Sequence, residues 1–215
     1  MQHEKKLILD YAQKAYAQKL VAGTSGNLSI KTTTGHIFIT PSGLAYDEMT
    51  IDDIVVIDID GNILDGQHNP SSEWPMHAEI YKSMPEVGAI VHTHSPYATA
   101  FSALAEDIPV FLVEMVYFLP GGIPVAPIAL QGSTDLGKIL AQTLQNRGGC
   151  LMQNHGAVSI GKDIAEAYLR TEYIEEAAKI YHIAKTIGTP NIIPDDLVAQ
   201  MLTPCRGEHC SPATE

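Results

Sequence analysis

Apolar residues recur with helical spacing near the start of the chain. Leu7, Ile8, Tyr11, Ala15 and Leu20 fall near one stripe, which predicts an amphipathic helix over Lys5–Val21 with Gly23 as its C-cap. The pattern then changes to short runs. Leu28–Ile30 and His36–Ile39 read as strands around a turn at Thr34-Gly35, and Ile54–Ile59 with Asn62–Leu64 as a hairpin closed by Asp60-Gly61. Pro70-Ser71-Ser72-Glu73-Trp74-Pro75 reads as a helix start: Ser71 or Ser72 suits the cap and Pro75 the first turn. That helix carries His77, Ile80 and Tyr81 on one side. Val87–Thr93 is an apolar strand run and Pro96–Ala105 a helix. Ile108–Ile128 reads mostly as strand and loop, Thr134–Asn146 as a helix, Cys150–Gln153 as a buried strand and Ile164–Ile187 as a long helix. Beyond Pro204 large apolar residues are lacking, so 204–215 is expected to be a disordered tail on a single domain spanning 1–203. The irregular alternation of strands and helices predicts an α/β layered domain, with helices covering a mixed or antiparallel sheet.

Composition narrows the range of functions. A chain of 215 residues suits one domain with a sizeable core. Its formal net charge of -12 disfavours nucleic acid and anionic membranes as partners. No segment is long and apolar enough to span a bilayer, and the N-terminus has no signal-peptide character, so a cytoplasmic location is expected. Cys150, Cys205 and Cys210 do not make a disulfide framework, and Cys150 reads as an inert core thiol.

Val91-His92-Thr93-His94 is the strongest local signal. Side chains alternate along a strand, so His92 and His94 point the same way, about 7 Å apart along the backbone. Two imidazoles at that spacing can grip one tetrahedral cation. A single histidine at a strand end is more often a satisfied polar residue. A third, His155 in Asn154-His155-Gly156, follows a second apolar strand, and Gly156 would let the chain turn sharply there. Glu73 at a helix N-terminus adds a carboxylate. His77 is ambiguous, while His3, His36, His68 and His182 have no such partners. Cys205, His209 and Cys210 provide only three donors in a polar terminal stretch and weigh little as a second zinc site.

Three loops carry small donors and no Lys or Arg: Thr24-Ser25-Gly26-Asn27, Thr40-Pro41-Ser42-Gly43 and Ser71-Ser72. Taken singly each is an ordinary turn. Together their hydroxyls and amides suit a phosphate, helped by the helix dipole at Ser72-Glu73. An acidic protein can bind an anion this way, because the local field matters more than net charge.

In order and spacing, Gly23-Thr24-Ser25-Gly26-Asn27-Leu28-Ser29, Ile39-Thr40-Pro41-Ser42-Gly43, Pro70-Ser71-Ser72-Glu73, His92-Thr93-His94-Ser95 and Asn154-His155-Gly156 resemble the class II aldolase and adducin family across about Leu7–Ile187. The resemblance implies a three-layered α/β/α fold with a central, largely antiparallel sheet, in a homotetramer whose active site is completed at the subunit interface. It implies Zn2+ (or Mn2+ or Co2+) on His92, His94 and His155, and Glu73 as acid/base. It also implies a substrate phosphate on Gly26, Asn27, Ser42, Gly43, Ser71 and Ser72. Glu73 stands where the epimerase branch has Asp, and all three histidines are kept, unlike in adducin-type members. The reaction implied is retro-aldol cleavage of a ketose 1-phosphate, fuculose-1-phosphate-like, to dihydroxyacetone phosphate and a small aldehyde. A dehydratase of a ketose 1-phosphate such as methylthioribulose 1-phosphate, a decarboxylase or an epimerase would use the same site. The aldehyde end departs from the fuculose pattern: Val113 stands where those enzymes have a tyrosine, Tyr117 lies four residues further on, and no aromatic residue follows Tyr181.

Overall fold

A computed structural model describes residues 1–203. The expected disordered tail and the three donors Cys205, His209 and Cys210 lie outside the described residues. Fifteen regular elements run in the order α1 (Gln2–Ala17), β1 (Asn27–Lys31), β2 (Ile37–Ile39), β3 (Val55–Ile57), β4 (Ile63–Asp65), α2 (Trp74–Ser83), β5 (Ala89–Thr93), α3 (Pro96–Leu104), α4 (Val113–Phe118), β6 (Val125–Ala126), α5 (Thr134–Thr143), β7 (Gly149–Met152), β8 (Gly156–Gly161), α6 (Ile164–Ile187) and α7 (Asp195–Leu202), besides one 3-10 turn at Ile51–Asp53. The strands form one sheet in the order β4-β3-β2-β1-β5-β8-β7-β6. Every pairing is antiparallel except β6 with β7.

Strand alternation divides the core between the two faces of the sheet. Ile37, Ile39, Ile57, Ile90, Val158 and Ile160 face α2 and α5, where Met76, Ile80, Leu136 and Leu140 meet them. Leu28, Phe38, Val56 and Val91 face the other way, onto Ile8 and Ala12 of α1 and onto Tyr168 of α6. A third cluster fills the space between α3, α4 and the second half of α6, with Phe101, Met115, Ile174 and Tyr181 at its centre. The result is the expected three-layered α/β/α arrangement with a largely antiparallel sheet. Among the described residues no helix is long and apolar enough to cross a membrane.

Several local expectations need correction. The first helix ends at Ala17, not Val21. Lys19 takes φ 60° as the left-handed residue, Lys19 N–H donates to Tyr16 O, and Leu20 N–H donates to Ala15 O. That is a Schellman ending with lysine where glycine is usual. Leu20 and Val21 are buried beyond it, so their hydrophobicity prolonged the apparent helical stripe. The stretch read as strand and loop contains α4, with Met115 and Val116 buried and Val113 and Tyr117 exposed. Neither β8 nor α7 was visible in the pattern. Helix α2 has Glu73, not a serine, in its N-cap position; the Ser71 hydroxyl instead accepts the Glu73 N–H at 3.3 Å.

Candidate metal and phosphate site

The sheet register brings the histidines together. β5 lies between β1 and β8, with His92 opposite Asn27 on one side and Val158 on the other. His92 is fully buried at the end of β5, and His94 follows just past it. The turn from β7 to β8 carries His155. The left-handed residue in that turn is Asn154, at φ 58°, rather than Gly156. Gly156 is required for a different reason: a Cβ there would stand 2.3 Å from Thr93 O, 3.1 Å from His94 Cδ2 and 3.3 Å from His92 Cε1.

The three rings pack edge-on with centroids 4.8, 4.9 and 5.0 Å apart, and their candidate ligand nitrogens all lie within 4.8 Å of one another. His92 Nδ1 donates to Ala157 O at 2.9 Å, which turns its Nε2 toward His94 Nε2, 3.1 Å away. Burial pushes His94 down to about 4 and His155 down as well, the charge of His92 acting in the same direction, so both offer neutral imidazoles near pH 7. Tetrahedral zinc with bonds of about 2.0–2.1 Å would hold such nitrogens roughly 3.3 Å apart. His155 Nε2 and Glu73 Oε1 are buried with no hydrogen-bond partner among the described residues. The donor set therefore fits a divalent metal.

Glu73 enters from the start of α2. Its carboxylate is 3.2 Å from His92 Nε2 and 3.5 Å from His155 Nε2, and it accepts a 2.8 Å hydrogen bond from Asn27 Nδ2. Burial pushes this carboxyl up, but His92, His155 and the Asn27 amide outweigh it and hold the group well below the usual carboxylate range. A metal cation at the same place acts in the same direction.

A cavity of about 320 Å³ opens beside Glu73 and His94, and its walls include Gly26, Asn27, Ser42, Gly43, Ser71 and Ser72. No Lys or Arg is among the lining residues. The loops are pinned to one another: Ser71 N–H donates to Thr40 O and Ser42 N–H to Asn69 O, both at 3.0 Å. The N–H groups of Gly26, Gly43 and Ser72 find no acceptor among the described residues. Gly26 has φ +79°, and a Cβ on it would lie 2.7 Å from His92 O, so only glycine brings this loop against β5. All ten residues singled out from the sequence thus meet in one region. Asn27 differs in detail, because its side-chain amide is taken up by Glu73 and His77. Gln131, before α5, also lines the cavity; a lone glutamine in the loop Ile128-Ala129-Leu130-Gln131-Gly132 gave no sequence signal. Val113 and Tyr117 are about half exposed on α4, outside this cavity.

A family model described as the class II aldolase and adducin N-terminal domain matches residues 6–182. The chain belongs to this family. It is a class II aldolase, an enzyme of a metal-dependent class. It is 34% identical over 197 residues to a 5-deoxy-D-ribulose 1-phosphate aldolase of Bacillus thuringiensis, covering 91% of this chain and 92% of that one. It is 40% identical over 173 residues to an L-fuculose phosphate aldolase of Methanococcus maripaludis, covering 80% and 92%. A solved L-fuculose 1-phosphate aldolase superposes with a TM-score of 0.88 at 34% identity, covering 93% of this chain and 94% of its own.

Proposed function

We propose that the enzyme cleaves a short, phosphorylated ketose between C3 and C4, releasing dihydroxyacetone phosphate and a small aldehyde. The observation that carries this reading is the placing of the Glu73 carboxylate between the histidine cluster and the cationless cavity. The Gly26, Gly43 and Ser72 N–H groups and the hydroxyls of Ser42, Ser71 and Ser72 bind the phosphate. His92, His94 and His155 hold the metal, and three imidazole nitrogens suit zinc, with Mn2+ or Co2+ as substitutes. When bound, the metal supplies Lewis acidity toward the ketose oxygens.

Glu73 moves the proton. As C3–C4 breaks, the C4 hydroxyl proton passes to a base in solvent, the aldehyde forms, and Glu73 delivers a proton to C3; in the condensing direction Glu73 removes the C3 proton and the new C4 alkoxide takes one from solvent. The contacts with His92 and His155 make it a poor acid, so substrate binding has to loosen them before it donates. The phosphorylated end of the substrate is the better defined one. A second cleft beside His155 joins an apolar wall of Pro127, Ile128, Leu136 and Met152 to a polar one of Gln131, Gln153 and Asn154. It suits the methyl end of a deoxy sugar, which fuculose-type and 5-deoxyribulose-type substrates share.

A homotetramer completing the site across subunits is supported by the half-exposed Val113 and Tyr117 on α4 beside an apolar cleft at Leu112, Met115 and Tyr173. The phosphorylated substrate and the free, buried Cys150 thiol support a cytoplasmic location.

The test is Glu73→Gln, which keeps shape but exchanges no proton near neutral pH. With dihydroxyacetone phosphate in heavy water, the native enzyme is expected to exchange one carbon-bound hydrogen. The variant should lose this exchange, and kcat should fall about 10²- to 10⁴-fold. Exchange at the native rate in the metal-loaded variant overturns the assignment.

A further inference from the structure

Behind Glu73 a line of buried polar side chains runs into the core, away from the cavity. Asn27 Nδ2 donates to Glu73 Oε2 at 2.8 Å, and Asn27 Oδ1 meets His77 Nε2 at 2.5 Å. His77 Nδ1 meets Ser29 Oγ at 2.6 Å, and Ser29 Oγ meets Tyr81 OH at 2.8 Å. His77 and Ser29 are wholly buried and Asn27 and Tyr81 nearly so. His77 and Tyr81 lie four residues apart on α2, whereas Asn27 and Ser29 alternate on β1, so helix and strand each present two of the four.

The chemistry of these groups allows one direction of donation. An ionised carboxylate only accepts, so the Asn27 amide turns its N–H toward Glu73 and its oxygen toward His77. His77 Nε2 must therefore carry the proton. Its Nδ1 is then a lone pair that accepts from the Ser29 hydroxyl, whose oxygen in turn accepts from the Tyr81 O–H. Burial keeps His77 neutral at working pH by pushing it down to about 3, and pushes the Tyr81 phenol up. In the other imidazole tautomer, Nε2 and Asn27 Oδ1 would be two acceptors in contact. The amide would gain by flipping, and its oxygen would then face the Glu73 carboxylate.

We propose that His77, locked in its Nε2–H tautomer by Ser29 and Tyr81, is a positioning residue: it fixes the Asn27 amide so that the Glu73 carboxylate is held in the orientation that transfers the proton. His77 touches neither the cavity nor the histidine cluster and acts only through Asn27. The inference rests on the reading of Glu73 as the acid/base.

The test compares metal-loaded His77→Leu and His77→Gln by the exchange of dihydroxyacetone phosphate hydrogen with heavy water. Leucine removes the donor, whereas the glutamine amide places an N–H close to where Nε2 stood. Proton exchange in His77→Leu should slow about 10- to 100-fold, with full metal content and KM within about twofold. His77→Gln should recover most of the loss. Native exchange in a folded His77→Leu, equal impairment in both variants, or a change confined to KM would each overturn the proposal. If His77→Leu does not fold, 15N NMR of the imidazole decides in the native enzyme, where the Nε2–H tautomer is expected and an Nδ1–H tautomer refutes the scheme. Exchange retained in Glu73→Gln defeats the reading of Glu73 itself. Exchange lost there but intact in His77→Leu defeats only the role of His77.

Discussion

Replacing Gly156 by alanine tests whether the metal site depends on the closeness of two strands. Gly156 opens β8 beside the end of β5, and its position carries no left-handed backbone, so the effect is one of space. The added methyl would lie 2.3 Å from Thr93 O. A carbon and a carbonyl oxygen settle at roughly 3.3 Å, so the strands must separate by about 1 Å at this point. Overpacking of this kind costs about 1–3 kcal/mol. The same methyl crowds His94 Cδ2 and His92 Cε1. Metal–ligand distances tolerate only about 0.2 Å, so the displacement should loosen the ligand set as well. Urea unfolding of the metal-free protein reads the first effect, and competition with a chelator reads the second. We expect both stability and metal affinity to fall. Gly35→Ala is the control: it sits in a turn at φ +86° with nothing within 4 Å, so it should cost about 1–2 kcal/mol from backbone strain and leave metal binding intact. Native stability and native metal affinity in Gly156→Ala would refute the reasoning.

Three further outcomes are expected. Ser71→Ala combined with Ser72→Ala should raise KM for a phosphorylated ketose by roughly 5- to 150-fold, from about 0.5–1.5 kcal/mol per lost hydrogen bond; unchanged KM in steady-state kinetics would remove these serines from the phosphate site. His77 is buried neutral at a folded value of about 3, so its contribution to stability is intact above its unfolded value near 6.5 and is lost as pH falls from there toward 3. Between pH 7.5 and pH 5 the native protein should lose about 2 kcal/mol more than His77→Gln, and parallel stability curves in urea titrations would contradict this. Light scattering at micromolar concentration should give four times the 23.3 kDa mass of one chain, and a monomer would end the proposal of a shared site.

Much of the chemistry followed from order along the chain. His92-Thr93-His94 needed only the two-residue period of a strand to place two imidazoles on one side, and Gly-rich and serine-rich loops without cations announced neutral donors for an anion. The hairpin at Asp60-Gly61 and the helix after Pro70 were equally local, because turn glycine and first-turn proline act within a few residues. The ends of helices were less well determined. Leu20 and Val21 are apolar because they pack on the core, and nothing in a periodic stripe separates that burial from continued helix.

Tertiary structure decided what lies next to what. β8 was hidden because glycines at both ends leave only Ala157-Val158-Ser159-Ile160 to carry a strand pattern, and its pairing on both sides fixes it as a strand. That pairing delivers His155 to His92 and puts Ala157 O where it orients the His92 ring. His77 looked ambiguous in the sequence and acquires a role only when α2 lies across β1. Asn27 looked like one more phosphate donor, yet its amide is committed to Glu73 and His77. Spacing along a chain reports which side chains share a face of one element. Which faces meet is settled by the packing of the whole sheet, and the direction of each hydrogen bond follows only once those partners are in contact.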